Sequence, residues 1–585
     1  RFLGLEYEVP ERRADRTCVL LQIDGLSHEE FQRAIREGKL PFLKQLLETK
    51  RATVTPWQSL LPASTGAFQI GLFYGDNDDV PGFIWYDKRA RHEVHLNSPE
   101  DAASAEDRIK ERVTPFPGLL HNGAAYSAIF SGGARNTLLT FSRLFRPSLN
   151  VDTRPRWIVY FLLTQIVLIG RLFYYALIEL LVALSDMVYG LFSQKNKYLE
   201  LRFLFPRIAC VVFCREIATL AAALDIRRGV GPVYVNYLAY DEHAHHRGPS
   251  SKFAQWTLKG LDASIRRVHG AIQDAEREGI RSYDLYVWSD HGQAAAEPFQ
   301  ERFGQDPARH FELLFDLHYG PTEEIRDWAG EEWNHQRLGK GRIIRGQRDR
   351  RDLARIRRQA NQAHQIREAL PRSLQRIYDW LLRAAQDAYD YYIREEATPD
   401  APRLKFVSTG PAAGLYLEGI EEPVCFEEWT ERFPRFLEEL AQHEGVGFAL
   451  VRTRDGGAMA GAGGVWIDID DDTTWKDRGL AQLGDLVRQH RDALRRWANM
   501  SNAGDILILG CRAAHGTLIS YSYERGSHCC PTESELTPFI IVPDRAVEHW
   551  PDLNSEDTSP ITLSVIHRHL RELYFHNDEL EPGHG

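Results

Sequence analysis

The chain has 585 residues, 43% of them hydrophobic, and a formal net charge of -11. That is enough apolar material for one large domain with insertions, or for two domains, and it excludes a disordered chain. The acidic balance excludes generic nucleic-acid binding, which needs a cationic surface to displace counterions, so no nucleic acid is expected as a stable partner.

Seven Cys, an odd number without regular spacing, exclude a disulfide framework. The first ten residues, Arg1 to Pro10, lack the basic, apolar and small-residue sections of a signal peptide. A cytoplasmic catalytic face is therefore expected, although the chain begins without Met and a removed leader stays open.

In chain order, residues 1–149 alternate strand and helix: a strand over Thr17–Ile23, helices near His28–Arg36 and Phe42–Leu47, and a strand near Tyr126–Ser131. This predicts an α/β fold with a doubly wound, mostly parallel sheet. Residues 150–228 read as an apolar helical insertion. Its run from Trp157 to Gly170, followed by Arg171 and Leu172–Ile178, is long enough to cross a bilayer, for which about 20 apolar residues suffice. Yet Thr164, Arg171, Glu179 and Asp186 recur near helical spacing and draw a polar stripe along it. A core or homo-oligomer helix, a membrane-surface or re-entrant helix, and true spans are the three readings.

Residues 229–299 return to the core pattern, with a strand into Asp241, a helix over Lys252–Glu276 and a strand into Asp290. Residues 300–403 form an Arg-rich helical insertion whose run from Leu353 to Glu395 reads as a solvated helix laced with ion pairs, or else as a contact for anionic lipid or another polyanion. Residues 404–585 complete the core with short strands, among them Asp505–Leu509 and Phe539–Val542.

Four segments far apart each end a predicted strand with a side chain able to hold a divalent cation. They are Ile23-Asp24, Tyr240-Asp241 with His245, Ser289-Asp290-His291, and Gly526-Ser527-His528. An open parallel sheet brings the carboxyl ends of its strands to one crevice, so these residues meet in space. Three carboxylates and three imidazoles are enough for two ions. Such ligands suit zinc, with manganese or iron as alternatives, and two ions about 4 Å apart can hold both the attacking and the leaving oxygen of a phosphoryl displacement. His243 and His246 rival His245, and Gly292 is expected to let the backbone approach the ions.

The nucleophile candidate lies in Ala63-Ser64-Thr65-Gly66, a loop running into a helix whose N-terminus favours a phosphate nearby. Either hydroxyl could instead be a simple N-cap. Asn77, Trp85 and Tyr86 are weak candidates for the substrate pocket, with ordinary loop packing as the alternative. Backbone N–H groups of Phe130–Arg135 are a further weak candidate for a phosphate.

Taken in order, Ile23-Asp24-Gly25, the Thr65 segment, Asp241 to His245 with Gly248-Pro249, Ser289-Asp290-His291-Gly292 and Gly526-Ser527-His528 resemble the alkaline phosphatase superfamily, and within it the type I phosphodiesterase and nucleotide pyrophosphatase branch. The resemblance covers about 1–145, 230–297 and 404–545. It implies one metal ion held by Asp24, Thr65, Asp290 and His291 and a second held by Asp241, His245 and His528, with Thr65 as the nucleophile of a phosphothreonine intermediate. It implies a small phosphodiester, nucleotide or lipid-headgroup substrate, with phosphomonoester hydrolysis or headgroup transfer on the same site as alternatives. An inactive membrane-associated or oligomeric scaffold is the alternative of another class. The chain departs from the family at Gly66, at Phe68, where nucleotide pyrophosphatases often carry an Asn, and at Cys529-Cys530, where small Gly residues are usual.

Overall fold

The run Cys18-Val19-Leu20-Leu21-Gln22-Ile23 is buried at every residue, so neither face of this strand meets water. A strand covered on both sides belongs in the middle of a mostly parallel sheet with helices on each face. The computed structural model describes residues 13, 15–144, 170, 174, 177, 180, 181, 212–319, 403–471, 473–550 and 561–575. It places this strand fourth of seven, in the spatial order Ala52–Pro56, Phe539–Pro543, Ser282–Trp288, Arg16–Ile23, Val233–Tyr237, Ala124–Tyr126, Asn136–Leu138. All adjacent pairs from Ser282–Trp288 to Asn136–Leu138 are parallel. Only Phe539–Pro543 runs against its neighbours, pairing antiparallel with both. The predicted doubly wound, mostly parallel sheet is present.

Successive residues of these strands point to opposite faces, and two cores result. Val19, Leu21 and Ile23 join Val233, Val235 and Tyr237 under helices that include His28–Arg36 and Lys252–Arg277. Leu20, Tyr234, Tyr286 and Trp288 pack on the other side with residues of Thr65–Tyr74 and Leu563–Tyr574. Burying each such large side chain contributes about 1.5–3 kcal/mol before entropy is counted. The helix Arg215–Arg227 fills the first core through Ala218, Ala222 and Ile226. The boundary expected at residue 228 therefore runs beside a helix of the core.

The C-terminal part also builds a second sheet that the sequence pattern did not reveal. Ala412–Glu418, Ile506–Leu509, Phe448–Arg452, Ala458–Ala462 and Val465–Asp468 run antiparallel in that spatial order around a third core. The strand expected near Tyr126–Ser131 is shorter and earlier, at Ala124–Tyr126.

The chain divides into two compact units, residues 1–309 with 406–416 and 420–585, and residues 310–405 with 417–419. The site lies in the first. Most of the apolar stretch at 150–211 and the helical run expected over Leu353–Glu395 lie outside the described residues. Among the described residues no helix is long and apolar enough to cross a membrane.

Candidate functional site

Register brings the first ligands together. Ile23 lies opposite Tyr237, and Gln22 opposite Trp288, so Asp24, the turn into Asp241 and the Ser289-Asp290-His291 segment leave the sheet side by side. Gly25 makes the close approach workable. Its φ is +72°, any Cβ there would strike Asp241 Oδ1, and its N–H donates to Asp290 Oδ1 at 3.2 Å. Gly292 serves a different approach from the expected one: a Cβ there would meet Ser534 O and Ser27.

Of the two hydroxyls, Ser64 takes the capping role and Thr65 does not. Ser64 is the N-cap, its Oγ accepting from Ala67 N at 3.4 Å. Thr65, freed from capping, donates its hydroxyl to Asp24 Oδ1 at 3.1 Å and lies 3.4 Å from His291 Nε2.

Asp241 and His245 sit one turn apart on the helix Ala239–Arg247, as their spacing of four requires. His245 Nε2 is 3.1 Å from Asp241 Oδ2. The rival imidazoles turn elsewhere, His246 to Glu242 at 3.3 Å and His243 to Arg247 at 3.2 Å.

His528 completes the cluster. Its ring stacks on His291 with centroids 3.8 Å apart and lies 5.1 Å from that of His245. Two groups of ligand atoms fall within 4.8 Å of one another: Asp24, Asp290 and His291, and Asp241, His291 and His528. The first group holds three of the four ligands expected at one ion, and Thr65 joins it through its hydroxyl. In the second group His291 stands where His245 was expected, and His245 reaches the cluster through Asp241.

All three imidazoles are fixed in the same sense. Nδ1 of His245 faces Gly526 O at 3.0 Å, that of His291 faces Gly292 O at 3.0 Å, and that of His528 faces Ala63 O at 2.6 Å. A carbonyl only accepts, so each Nδ1 carries a proton. Burial opposes it, but Asp241 at Nε2 and Glu524 at Nδ1 raise His245 well above its ordinary value, so without a cation its Nε2 is protonated as well. A cation at Nε2 requires that nitrogen's lone pair with the proton held on Nδ1, the arrangement these carbonyls favour.

The carboxylates fit the same conclusion. Burial, then the charges of Asp290 and Asp241, push Asp24 well above the usual carboxylate range. Asp290 is raised by burial and by Asp241 against the pull of His291. Its Oδ2 is buried, accepts no hydrogen bond and lies 3.3 Å from His291 Nε2. His528 is pushed down to about 3 by burial and by His291. Burial opposes it, but His245 and the other imidazoles hold Asp241 below its usual value. Crowded carboxylates and imidazoles whose Nε2 atoms face them fit one or two divalent cations.

Other residues of the site were invisible in the sequence. Asn236 donates to Asp24 Oδ2 at 2.7 Å, and Gln293 donates to Asp241 Oδ1. Ser289 accepts from Leu26 N at 3.0 Å and donates to His291 O at 2.7 Å. Asn236 and Gln293 sit on or beside strands that carry ligands, and that position was the only available signal.

The weak pocket candidates lie elsewhere. Trp85 is 1% exposed and Tyr86 is 7% exposed within the second core, where Tyr86 packs edge-on against Tyr416. An aromatic pair in a short hairpin, Ile84–Asp87 with His92–His95, was better placed to pack than to stack on a ligand. Asn77 accepts from Arg496 at 2.8 Å and packs at Gly71, more than a helical turn along from Thr65. The N–H groups of Ser131 and Gly132 are engaged by buried Glu106 and so are not offered to a phosphate. Cys529 Sγ donates to Ala63 O at 3.4 Å and lies 3.7 Å from His528 Nδ1, the side turned away from the ligand cluster.

In the order of its motifs, Ile23-Asp24-Gly25, Thr65, Asp241 to His245, Ser289-Asp290-His291-Gly292 and Gly526-Ser527-His528, the chain resembles the alkaline phosphatase superfamily. No family model matches it, and no curated protein does. Among solved structures, phosphonoacetate hydrolase from Sinorhizobium meliloti 1021, in complex with phosphonoformate, is 12% identical, with 97% of each chain covered and a TM-score of 0.43. The alkaline phosphatase PafA is 13% identical over 96% of each chain, with a TM-score of 0.44. Murine ectonucleotide pyrophosphatase/phosphodiesterase 5 is 9% identical over 97% of each chain, with a TM-score of 0.39. Likenesses this distant carry no weight for activity, and the similarity to the alkaline phosphatase superfamily rests here on the chain's own residues.

Proposed function

We propose that this chain is a divalent-metal-dependent phosphoric ester hydrolase, of phosphodiesterase or pyrophosphatase type, with Thr65 as nucleophile. The observation that carries this reading is the common orientation of three imidazoles, each held through Nδ1 by a backbone carbonyl and each presenting Nε2 toward carboxylates around one hydroxyl.

Asp24, Asp290 and His291, with Thr65, would hold one cation; Asp241, His528 and His245 would hold the other. Bound there, such ions, zinc or manganese first, supply charge stabilisation for the attacking and leaving oxygens. The chain supplies the rest. Asp24 Oδ1 takes the Thr65 hydroxyl hydrogen bond and aligns the oxygen at the start of the helix Thr65–Tyr74. Loss of that proton frees Thr65 Oγ to form a bond to phosphorus while the bond from phosphorus to the departing ester oxygen breaks. The leaving oxygen takes up a proton, and water then cleaves the phosphothreonine, restoring the hydroxyl. Positive partial charge at the helix N-terminus favours the phosphoryl group at this place. A small phosphodiester, a nucleotide or a lipid headgroup is the substrate class of this reading.

The test is turnover of bis(p-nitrophenyl) phosphate and p-nitrophenyl phosphate by zinc- or manganese-loaded protein, with Thr65→Ala as control. Faster, Thr65-dependent cleavage of the diester is expected. Preference for the monoester would make the chain a phosphomonoesterase. Absence of metal-dependent turnover of either would sink the hydrolase reading.

A further inference from the structure

One carboxylate at the site has no role among the seven residues just described. Glu524 Oε2 lies 3.4 Å from His245 Nδ1, and its side chain is 24% exposed. It also accepts from the Ser527 hydroxyl. Its position is set by the backbone around it. Arg525 N donates to His245 O at 2.7 Å, and Gly526 and Ser527 pair antiparallel with Ala295 and Ala294. Gly410 closes over the pair so tightly that a Cβ there would strike Ser527 Oγ and come within 3.5 Å of Glu524 Oε2. The neighbouring Arg525 does not neutralise it, because that guanidinium turns to Glu301.

The other two imidazoles lack this arrangement. His291 and His528 rest their Nδ1 atoms on neutral carbonyls, whereas His245 shares its Nδ1 proton between Gly526 O and a carboxylate. A carboxylate on the far nitrogen fixes the ring and makes the near nitrogen a better donor to a cation.

We propose that Glu524 is a positioning residue for one half of the metal site, acting through His245 to strengthen cation binding at the Asp241, His245 and His528 half alone. The inference rests on the metal reading above. It predicts an effect confined to one of two ions, which a general loss of folding would not produce.

The experiment is Zn2+ titration of the full chain against a competing chelator, for wild type, Glu524→Gln, Glu524→Asp and Ser527→Ala, with metal-free melting temperatures recorded alongside. The wild type is expected to bind two ions per chain. Glu524→Gln should leave one affinity unchanged and weaken the other by about 10- to 100-fold. Glu524→Asp, which keeps the charge, and Ser527→Ala, which removes only the brace, should fall between. Two ions of wild-type affinity in Glu524→Gln would overturn the inference and leave the metal reading standing. Equal weakening of both ions, with a lower metal-free melting temperature, would overturn it in favour of a merely structural brace. A wild type that binds less than one ion removes the metal reading itself, and this inference with it.

Discussion

The two halves of the ligand cluster are built differently. Asp24, Asp290 and His291 are wholly buried at the ends of central strands, and Thr65 is 8% exposed at the start of a buried helix. Across from them, the side chains of Asp241 and His245 are 15% and 18% exposed, on a short helix braced by the segment 524–528. The first half is placed by sheet register and carries crowded negative charge. The second is placed by side-chain partners whose charges balance. Rigidity in this site therefore comes from two sources, and each predicts its own response to mutation.

The largest effect belongs to the buried half. Thr65→Ala removes the hydroxyl hydrogen-bonded to Asp24, and diester turnover should fall by at least about a thousand-fold, on the scale of lost nucleophiles; steady-state kinetics on the two nitrophenyl esters measure it. Retained turnover would separate Thr65 from the reaction and leave only its place in the fold.

Charge removal should act oppositely in the two halves of the metal-free protein. Asp241→Asn discards the partners that hold this carboxylate in its charged form and should cost about 2 kcal/mol. Asp290→Asn removes a like charge from beside Asp24 and Asp241 and should be neutral, or stabilising by about 1 kcal/mol. Chemical denaturation in the presence of chelator decides between them. Equal losses would erase the distinction between the halves.

The same comparison fixes two pH slopes. Asp24 has a folded-state pKa above its unfolded value, so the stability it contributes is intact below the ordinary carboxylate range and is lost as pH rises toward the folded value. Asp24→Asn should therefore stabilise the metal-free protein more at pH 8 than at pH 5. His528 runs the other way. Its folded value of about 3 lies below the ordinary 6.5, so its contribution is present above pH 6.5 and is lost as pH falls toward 3, at about 1.4 kcal/mol per unit. His528→Gln should blunt that acid sensitivity in melting temperatures taken between pH 6.5 and 4.

The smallest effect concerns Cys529. Because its thiol faces Ala63 O and not the cluster, Cys529→Ser should change stability by about 0.5 kcal/mol and leave zinc content unchanged. Loss of an ion in this variant would make the thiol a ligand after all.

What was legible in the sequence follows from how each half is built. Strands buried on both faces read as continuous apolar runs, so the ends at Ile23, Tyr237 and Trp288 were visible together with the ligands that follow them. The helical spacing of Asp241 and His245 was visible for the same reason. Glu524, Asn236 and Gln293 were not, because each acts across a contact between segments distant in the chain and carries no local pattern. For Trp85 and Tyr86 the sequence offered a pocket or ordinary packing, because an aromatic pair looks the same in both, and they lie in a core. The second sheet escaped notice because its strands are short and paired antiparallel across intervening helices.

The strand Phe539–Pro543 sets a timetable for the molecule. It covers the edge of Ser282–Trp288, and Ser289 N bonds to Phe539 O just before Asp290. During synthesis that edge waits for about 250 further residues, an interval on the order of tens of seconds at ordinary elongation rates. His528, which ties down the loop before Thr65 through Ala63 O, arrives in the same late stretch. A chain cut after residue 520 keeps six of the seven candidate residues and loses His528, and the strand Ser282–Trp288 is left with an open edge.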